Sequence, residues 1–211
     1  MTAPSEPRLL VLHGLRLKGF AHPPAVSEVV AVPEDETVRL LEQLVGDGLV
    51  IYREGRLSGF SLTPAGRSEH AHLLSEELDL HGVREDVNRA YKKFVGLNAG
   101  LLEVCTAWQL RDVHGESVLN DHTDPSYDAQ VIEQLAELNG TVRPICDELG
   151  ASLARYMRYS DRLVHAVDLV RGGEIDWFTK PIIPSYHTVW FELHEDLLAT
   201  LGIERGSEAV H

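Results

Sequence analysis

The chain has 211 residues, of which 44% are hydrophobic and 25% are charged, and its formal net charge is −14. These values are ordinary for a globular protein that is long enough to bury a core. No run of about 18 apolar residues occurs, which excludes a membrane-spanning helix, and the first ten residues lack the basic and apolar regions of a signal peptide. We therefore expect a soluble, cytoplasmic protein in which the two cysteines, Cys105 and Cys146, are reduced core thiols rather than a disulfide.

The acidic residues are unevenly distributed along the chain. Residues 1–75 contain seven Lys/Arg and nine Asp/Glu, a balance of −2, whereas residues 76–211 contain twelve and twenty-four, a balance of −12. Domains that bind nucleic acid usually have a basic surface. Most of the acidity therefore lies outside the first third of the chain, which is near neutral rather than basic.

The first third is predicted to contain three helices, two strands and a fourth helix. Gly46 and Gly48 are expected to end the third helix, since glycine tolerates the positive φ common at helix C-termini. Thr63 and Pro64 are a favourable N-cap and first residue for the fourth helix. The predicted elements are helices over Arg8–Phe20, Ala25–Ala31 and Glu34–Gly46, strands over Leu49–Tyr52 and Leu57–Leu62 separated by a turn at Glu54-Gly55, and a helix from Pro64 to about Leu80.

Residues 40–67 carry the most specific pattern in the chain. The segment LLEQLVGDGLV (Leu40–Val50) ends a helix and begins a strand, and LTPAGR (Leu62–Arg67) ends the return strand and begins the next helix. This order resembles the winged helix-turn-helix domain of the MarR/PadR group of bacterial transcriptional regulators. The resemblance covers about the first third of the chain. It implies a DNA-binding winged helix with a connecting helix over residues 1–80, in which Glu34–Gly46 is the recognition helix.

The remainder, residues 81–211, is predicted to be an all-α domain that binds a ligand, mediates dimerisation or does both. The expected fold class is therefore mainly α. Apolar residues recur at helical spacing along the first of its helices. The predicted elements are a long helix over Val83–Arg111, a loop over Asp112–Thr123, a helix from Asp124-Pro125 to about Gly140, one or two helices over residues 141–171, an irregular segment over Glu174–Ile183 and a helix over Pro184–Leu201.

Six side chains are candidates for contacts with DNA. Arg39 and Gln43 lie on the exposed face of the predicted recognition helix, where side chains approach base edges. Contacts with phosphates supply most of the affinity in such complexes, and the cations available for them are Arg16, Lys18, Arg53 and Arg56. The recognition helix begins with three carboxylates over Glu34–Glu36, which favour its N-terminus but repel phosphate. They keep open the alternative that the winged helix contacts another protein.

Polar side chains of the predicted helical domain are candidates for a ligand pocket. Asn98 and Gln109 are expected on one face of the long helix together with Leu102 and Cys105, and a buried amide needs a hydrogen-bond partner. That partner is either a local group or a bound ligand. The loop around His122 is interpreted either as a turn with a helix cap or as a polar lid or metal ligand.

The last helix carries two histidines among aromatic residues. His187, Trp190 and His194 are predicted on one apolar face, and the carboxylates Glu192, Glu195 and Asp196 on the opposite face. The histidines are then either neutral core side chains or polar groups in a small-molecule pocket. Its candidate walls are Trp108, Tyr186 and Trp190.

A metal site is the third possibility for the two histidines. Their separation of seven residues corresponds to about 10 Å along the helix axis. One ion cannot bind both without a ligand from elsewhere, such as His122. We therefore predict no metal and no cofactor.

A basic stripe of Arg155, Arg158 and Arg162 lies at helical spacing in the region 141–171. We expect it to be a solvated face, with two alternatives: pairing with the many carboxylates of the chain, or holding an anionic group of an effector. No G-x-S-x-G, P-loop, dinucleotide or H-E-x-x-H motif occurs, so we do not expect an enzyme.

These features favour a one-component transcriptional regulator. We expect a homodimer that binds operator DNA through the winged helix, under control of a small-molecule effector in the helical domain. The arrangement of helices and histidines in that domain also resembles the all-helical effector domains of GntR-type regulators, some of which hold a metal. The alternatives are an interaction or adaptor protein that uses the winged helix for protein contacts and a metal-binding sensor.

Overall fold

The computed structural model describes residues 2–55, 58–113 and 115–204, and it is mainly helical with two small two-stranded antiparallel sheets. The chain divides into two compact units. The described part of the first comprises residues 2–55, 58–85, 153–155 and 195–204, and that of the second comprises residues 86–113, 115–152 and 156–194. The mainly α fold class is therefore confirmed.

The first unit begins with three helices, a β-hairpin and a fourth helix. Their bounds are α1 (Pro7–Lys18), α2 (Pro23–Val30), α3 (Glu34–Gly46), β1 (Val50–Arg53), β2 (Gly59–Leu62) and α4 (Pro64–His81). The helices at 34–46 and from Pro64 begin at the predicted residues. At the ends away from the turn, β1 begins one residue after its predicted start and β2 ends at the predicted residue.

The core of this region lies between α1, α2, α3 and the hairpin. Leu12, Leu41 and Leu44 are fully buried in it. The close approach of α1 to α2 depends on Gly14, because a Cβ there would lie 2.9 Å from methyl groups of both Val26 and Val30. Burial of these aliphatic side chains is the main force that holds the short helices together.

The hairpin pairs Val50 with Leu62 at its base and Arg53 with Gly59 near its tip. An isolated antiparallel bridge joins Ala21, between α1 and α2, to Phe60 on β2, with backbone hydrogen bonds of 3.0 and 2.8 Å. Ala21 thus extends the two-stranded sheet by one short pairing. The sheet is in this way tied to the helices by main-chain bonds as well as by packing.

Thr63 joins the base of the hairpin to α4. Its backbone N–H donates to the Leu49 carbonyl at 3.0 Å, and its hydroxyl donates to the Gly48 carbonyl at 2.8 Å. The same hydroxyl oxygen accepts from the Gly66 N–H at 3.0 Å, which is the predicted N-cap bond of α4. One side chain therefore fixes both the end of β2 and the start of the helix.

The second half of the chain consists of helices and one further hairpin. Its elements are α5 (Arg84–Val95), α6 (Asn98–Gln109), β3 (Leu110–Val113), β4 (Glu116–Leu119), α7 (Pro125–Ser152), a 3₁₀ turn (Ala154–Tyr156), α8 (Met157–Arg171), α9 (Asp176–Thr179) and α10 (Tyr186–Leu201). The core of the second unit contains large buried side chains from several of these elements, including Phe94, Leu135, Leu163, Phe178 and Tyr186.

Three expectations for this half differ from the structure. The all-α prediction was wrong because residues 110–119 form the β3–β4 hairpin, in which Leu110 pairs with Leu119. The predicted helix Val83–Arg111 is interrupted at residues 96–97, between α5 and α6. Conversely, α7 continues through Gly140, Pro144 and Gly150 to Ser152, since packing in a unit outweighs the intrinsic cost of these residues in a helix.

Residues distant in sequence complete the first unit. The segment 153–155 and the C-terminal part of α10 belong to it, and the Ala154 N–H donates to the Ala3 carbonyl at 2.9 Å. This return of the chain is not visible in local sequence patterns.

Within the described ranges, no helix has the length and apolar character needed to cross a membrane.

Candidate functional site

The exposed side of α3 carries two of the predicted DNA-binding side chains. Leu40, Leu41 and Leu44 point into the core, whereas Arg39 and Gln43 are exposed one helical turn apart. The Arg39 guanidinium lies 3.4 Å from the Glu36 carboxylate on the same helix, and this pair is too exposed to hold the arginine firmly.

The other predicted cations occupy different surroundings. Arg53 is exposed on β1, which packs against α3, and Lys18 is exposed at the end of α1. Arg16 is partly exposed, with its guanidinium 3.0 Å from the Glu195 carboxylate in the first unit. Arg56 lies outside the described residues. The surface that joins α3 to β1 therefore presents Arg39, Gln43 and Arg53 to solvent.

On the predicted pocket face of the second unit, Asn98 is partly buried and Gln109 is exposed. The Asn98 Oδ1 accepts a hydrogen bond of 2.9 Å from the Trp190 indole N–H, which satisfies the indole donor. Gln109 is exposed, and Leu102 on the same predicted face is 69% exposed. The expectation that Gln109 shares a face with the core was wrong, because the helix ends there and the chain turns into β3.

Trp108 and His122 lie together in a compact aromatic group. The Trp108 ring stacks on Phe178 with ring centroids 4.4 Å apart and planes at 11°, and the His122 ring lies 4.4 Å from Trp108. The His122 Nδ1 is 3.0 Å from the Asp128 carboxylate, whose other oxygen accepts from Asn120 at 2.8 Å. His122 has φ +58°, a conformation uncommon for residues other than glycine. This network holds the turn before α7.

The last helix places its histidines differently from each other. His187 is exposed, so its predicted position on the apolar face was wrong. His194 is partly buried, with its ring 5.8 Å from Phe94, and Trp190 is buried. Tyr186 is fully buried and its hydroxyl has no hydrogen-bond partner among the described residues; burial raises the pKa of this phenol well above its ordinary value.

In the described part of the chain, contacts join Asn98, Trp190 and Tyr186 in one group and Trp108 and His122 in another, whereas Gln109 and His187 are exposed. Among the described residues, no group of three or more His, Cys, Asp or Glu side chains is arranged to hold a metal ion. His122, His187 and His194 therefore remain separate.

A buried charged cluster in the first unit was missed by the sequence interpretation. The Arg155 guanidinium contacts the carboxylate of Glu77 and donates to the Thr200 hydroxyl at 2.8 Å, and both members of the Arg155–Glu77 pair are only 5% exposed. The Asp196 carboxylate lies 3.5 Å from Arg155. The alternative that the arginine stripe pairs with carboxylates is thus confirmed at Arg155, which is not solvated.

The C-terminal carboxylates of α10 are buried rather than solvated. Glu192, Glu195 and Asp196 are each less than a tenth exposed, and they meet Arg162, Arg16 and Arg155 respectively. The spacing places them opposite the aromatic face of α10 but does not predict that this side of the helix is buried too. The sequence shows arginines at helical spacing in one segment and carboxylates at helical spacing in another. This spacing is compatible with ion pairs but does not predict which segments contact each other.

Two histidines extend the buried cluster. The His13 Nδ1 and the His70 Nε2 are 2.9 Å apart, and the His13 Nε2 is 3.1 Å from the Asp196 carboxylate. Burial lowers the pKa of His70 to about 2, and the neighbouring His13 acts in the same direction. His70 is therefore neutral near pH 7 and takes part in the cluster as a hydrogen-bonding group.

No protein-family model matches the chain, and neither a curated protein nor a solved structure is significantly similar to it.

Proposed function

We propose that residues 2–81 form a winged helix that binds duplex DNA, and that the whole chain is a one-component transcriptional regulator. The observation that carries the proposal is the element order: three helices, then an antiparallel hairpin that is extended by the Ala21–Phe60 bridge, then a helix. In a winged helix, this order makes the third helix the recognition element and the hairpin the wing.

The distribution of side chains on α3 supports the same proposal. Its inner face carries the buried residues Thr37, Leu40, Leu41 and Leu44, and its outer face exposes Arg39 and Gln43. Arginine and glutamine make bidentate contacts with guanine and adenine edges respectively. Arg53 on the adjoining strand would contact the phosphate backbone.

A second candidate function is supported by the acidic start of α3. Glu34 and Asp35 are exposed and Glu36 is half-buried, and such carboxylates oppose the approach of phosphate. The alternative is an adaptor that uses α3 and the hairpin to bind a protein with a basic surface. These carboxylates would weaken binding to DNA but strengthen binding to a basic protein. Neutralising them therefore distinguishes the two functions.

The experiment is selection of duplexes from a random DNA pool with the full chain, followed by fluorescence anisotropy of the enriched sequence at several salt concentrations. We expect an enriched motif and an affinity that falls steeply as salt rises. Arg39→Ala should weaken binding by about 1–3 kcal/mol and relax the preference at one base position. Replacement of Asp35 by Asn should strengthen binding.

A matched control is available in the second unit. Arg89 forms an exposed pair with Asp86 three residues earlier, as Arg39 does with Glu36, so Arg89→Ala should leave DNA binding unchanged. Failure to enrich any sequence, together with no salt-sensitive binding at low ionic strength, would refute the DNA-binding proposal.

The proposal includes a homodimer and an effector. A two-fold dimer would match palindromic half-sites about one DNA turn apart, and its test is the mass of the full chain by light scattering. The effector would act by binding one arrangement of the two winged helices more tightly than another.

A further inference from the structure

The β3–β4 hairpin of the second unit has one exposed hydrogen-bonding edge. At its base, the Asn120 N–H donates to the Gln109 carbonyl at 2.8 Å. Because bonded and non-bonded pairs alternate between antiparallel strands, the backbone of Val118 points toward β3, whereas the backbones of Ser117 and Leu119 point away from it. Among the described residues, neither of these two backbones bonds to any element outside the hairpin. The outer edge of β4 is therefore open to another strand.

The opposite edge of the same hairpin is covered by a side chain. The Tyr127 hydroxyl lies 3.0 Å from the Leu110 carbonyl oxygen, which by the same alternation points outward from β3. The same hydroxyl lies 2.9 Å from the Ala107 carbonyl oxygen on α6, so the tyrosine is held at this edge from two sides. The hairpin therefore offers β4, rather than β3, for further pairing.

Exposed leucines lie along one face of the hairpin beside this edge. Leu110 and Leu119 are direct cross-strand partners, so their side chains lie on the same face, and Leu119 is 78% exposed. Leu102 on α6 is also largely exposed, and it lines a groove of about 530 Å³ together with Leu110. We call Leu102, Leu110 and Leu119 the leucine strip. Contiguous exposed apolar surface of this kind marks an interaction site.

We propose that β4 pairs antiparallel with β4 of a second copy of the chain and forms a four-stranded sheet across a two-fold axis at Val118. In this register, Ser117 of each copy lies opposite Leu119 of the other. Both residues have outward backbone groups and side chains on the same face, so the hydrogen bonds and the faces match together. Assembly stops at two copies because the β3 edges are covered. The role of this dimer in binding palindromic DNA rests on the proposed function, whereas the pairing itself does not.

Charge and apolar surface both favour a second copy as the partner. The net charge of −14 makes two copies repel unless they meet where the surface is uncharged. Ser117, Val118 and Leu119 are uncharged, and Glu116 lies opposite Asn120 of the second copy, so no like charges are directly opposite in this register. Leu119 of each copy becomes a diagonal neighbour of the other Leu119, which joins the two leucine strips. Pairing thus covers both the open edge and the exposed leucines.

The first test is sedimentation equilibrium of the full chain over a range of concentrations, without DNA. We expect a monomer–dimer equilibrium. Ser117→Pro removes an outward N–H but keeps the bonds to β3, since proline is tolerated at such edge positions, and Leu119→Lys places a charge in the leucine strip. Each should raise the dimer Kd about tenfold or more. The matched control is Ile182→Lys at a position of the second unit that is 83% exposed, and it should leave the Kd unchanged.

The second test measures the register by disulfide cross-linking. The two Val118 residues form a non-hydrogen-bonded pair with Cα atoms about 4.5 Å apart, which lies within the range of about 4.4–6.8 Å for disulfides. Val118→Cys should therefore give a covalent dimer under mild oxidation. Ser117→Cys should cross-link poorly, because the two residues 117 are diagonal neighbours about 7–8 Å apart. The native Cys105 and Cys146 are buried and should not compete.

Three results would overturn the proposal: the chain is a monomer at every concentration, either Ser117→Pro or Leu119→Lys dimerises as the wild type does, or Ser117→Cys cross-links as readily as Val118→Cys. The cross-linking result does not depend on any disruptive substitution, so a variant that misfolds leaves the proposal testable. A chain that pairs through β4 but binds no DNA would refute the regulator and leave the interface intact. DNA binding by a dimer that persists in both variants would refute the interface alone.

Discussion

The Arg155 guanidinium and the Glu77 carboxylate form an ion pair in which each side chain is only 5% exposed. The pair joins the segment after α7 to α4 within the first unit. Two charges can be buried in this way only when each compensates the other, and the loss of either leaves an uncompensated charge. The first unit therefore depends on a residue far from it in sequence.

Arg155→Met should consequently reduce the free energy of unfolding by about 3–5 kcal/mol. The arginine faces two carboxylates, Glu77 and Asp196, so its loss leaves both without their cation. Equilibrium urea unfolding of the full chain measures the effect. The control is Lys93→Met, which breaks the half-exposed pair with Glu148 and should cost about 0–1 kcal/mol. Equal losses in the two variants would contradict the buried-pair interpretation.

The protonation of His70 should make stability fall as pH falls. The pKa of His70 is about 2 in the folded chain and about 6.5 as an unperturbed group, so below pH 6.5 the unfolded chain binds a proton that the folded chain does not. The contribution of His70 is therefore fully favourable above pH 6.5. It is lost as pH falls toward 2, by at most about 1.4 kcal/mol per pH unit.

The measurement is the urea midpoint of the wild type and His70→Gln between about pH 5 and 8. The glutamine amide keeps a hydrogen-bonding group near His13 but does not titrate, so the stability difference between the two proteins should shrink as pH falls. His72→Gln changes an exposed histidine of the same helix and should leave the pH dependence as in the wild type. A constant difference between wild type and His70→Gln would be the contrary result.

Substitution by alanine should have opposite effects on stability at Gly66 and Gly46. A Cβ at Gly66 would lie 1.9 Å from the Leu49 carbonyl oxygen, which is backbone and cannot move aside. Gly66→Ala should therefore destabilise the first unit by several kcal/mol and shift the base of the hairpin. At Gly46 nothing lies within 4 Å of the added Cβ, and Gly46→Ala should stabilise α3 by about 0.5–1 kcal/mol. The measurement is the thermal unfolding midpoint of both variants. A change in the same direction for both would contradict this prediction.

The two cysteines should be unreactive in the folded chain. Burial raises the pKa of Cys105 to about 11 and that of Cys146 to about 12, and both are free thiols. Because the thiolate is the reactive form, a disulfide reagent should modify neither at pH 8 within minutes and both after unfolding in urea. Rapid modification of the native protein would show that the surrounding helices open readily.

The local parts of the fold were predictable from the sequence. Leucines at helical spacing in α3, the paired glycines after it and the Thr63-Pro64 start of α4 are signals carried by neighbouring residues, and each led to an element close to its observed bounds. The DNA-contacting role of Arg16, Lys18, Arg39, Gln43, Arg53 and Arg56 stays a prediction.

The non-local parts were not predictable from spacing. The strands of the second hairpin, LRDV and ESVL, are short and largely exposed, so they lack the alternation that identifies a strand. Helical spacing places Asp196 opposite the aromatic face of its helix but does not predict whether it is buried. Its burial depends on Arg155 and His13, which reach it only through the tertiary fold. A charged residue is buried where a partner exists, and the partner is not visible in the local pattern.

The hydrogen bonds of Thr63 determine which part of the hairpin fixes its register. The hydroxyl and N–H of this residue hold the strand ends at Gly48 and Leu49, and the pairing of Val50 with Leu62 follows directly. The register is therefore set at the base, and loop length adds little to the cost of closure. A longer turn between Arg53 and Gly59 should therefore change the reach of the hairpin while its pairing at the base stays in place.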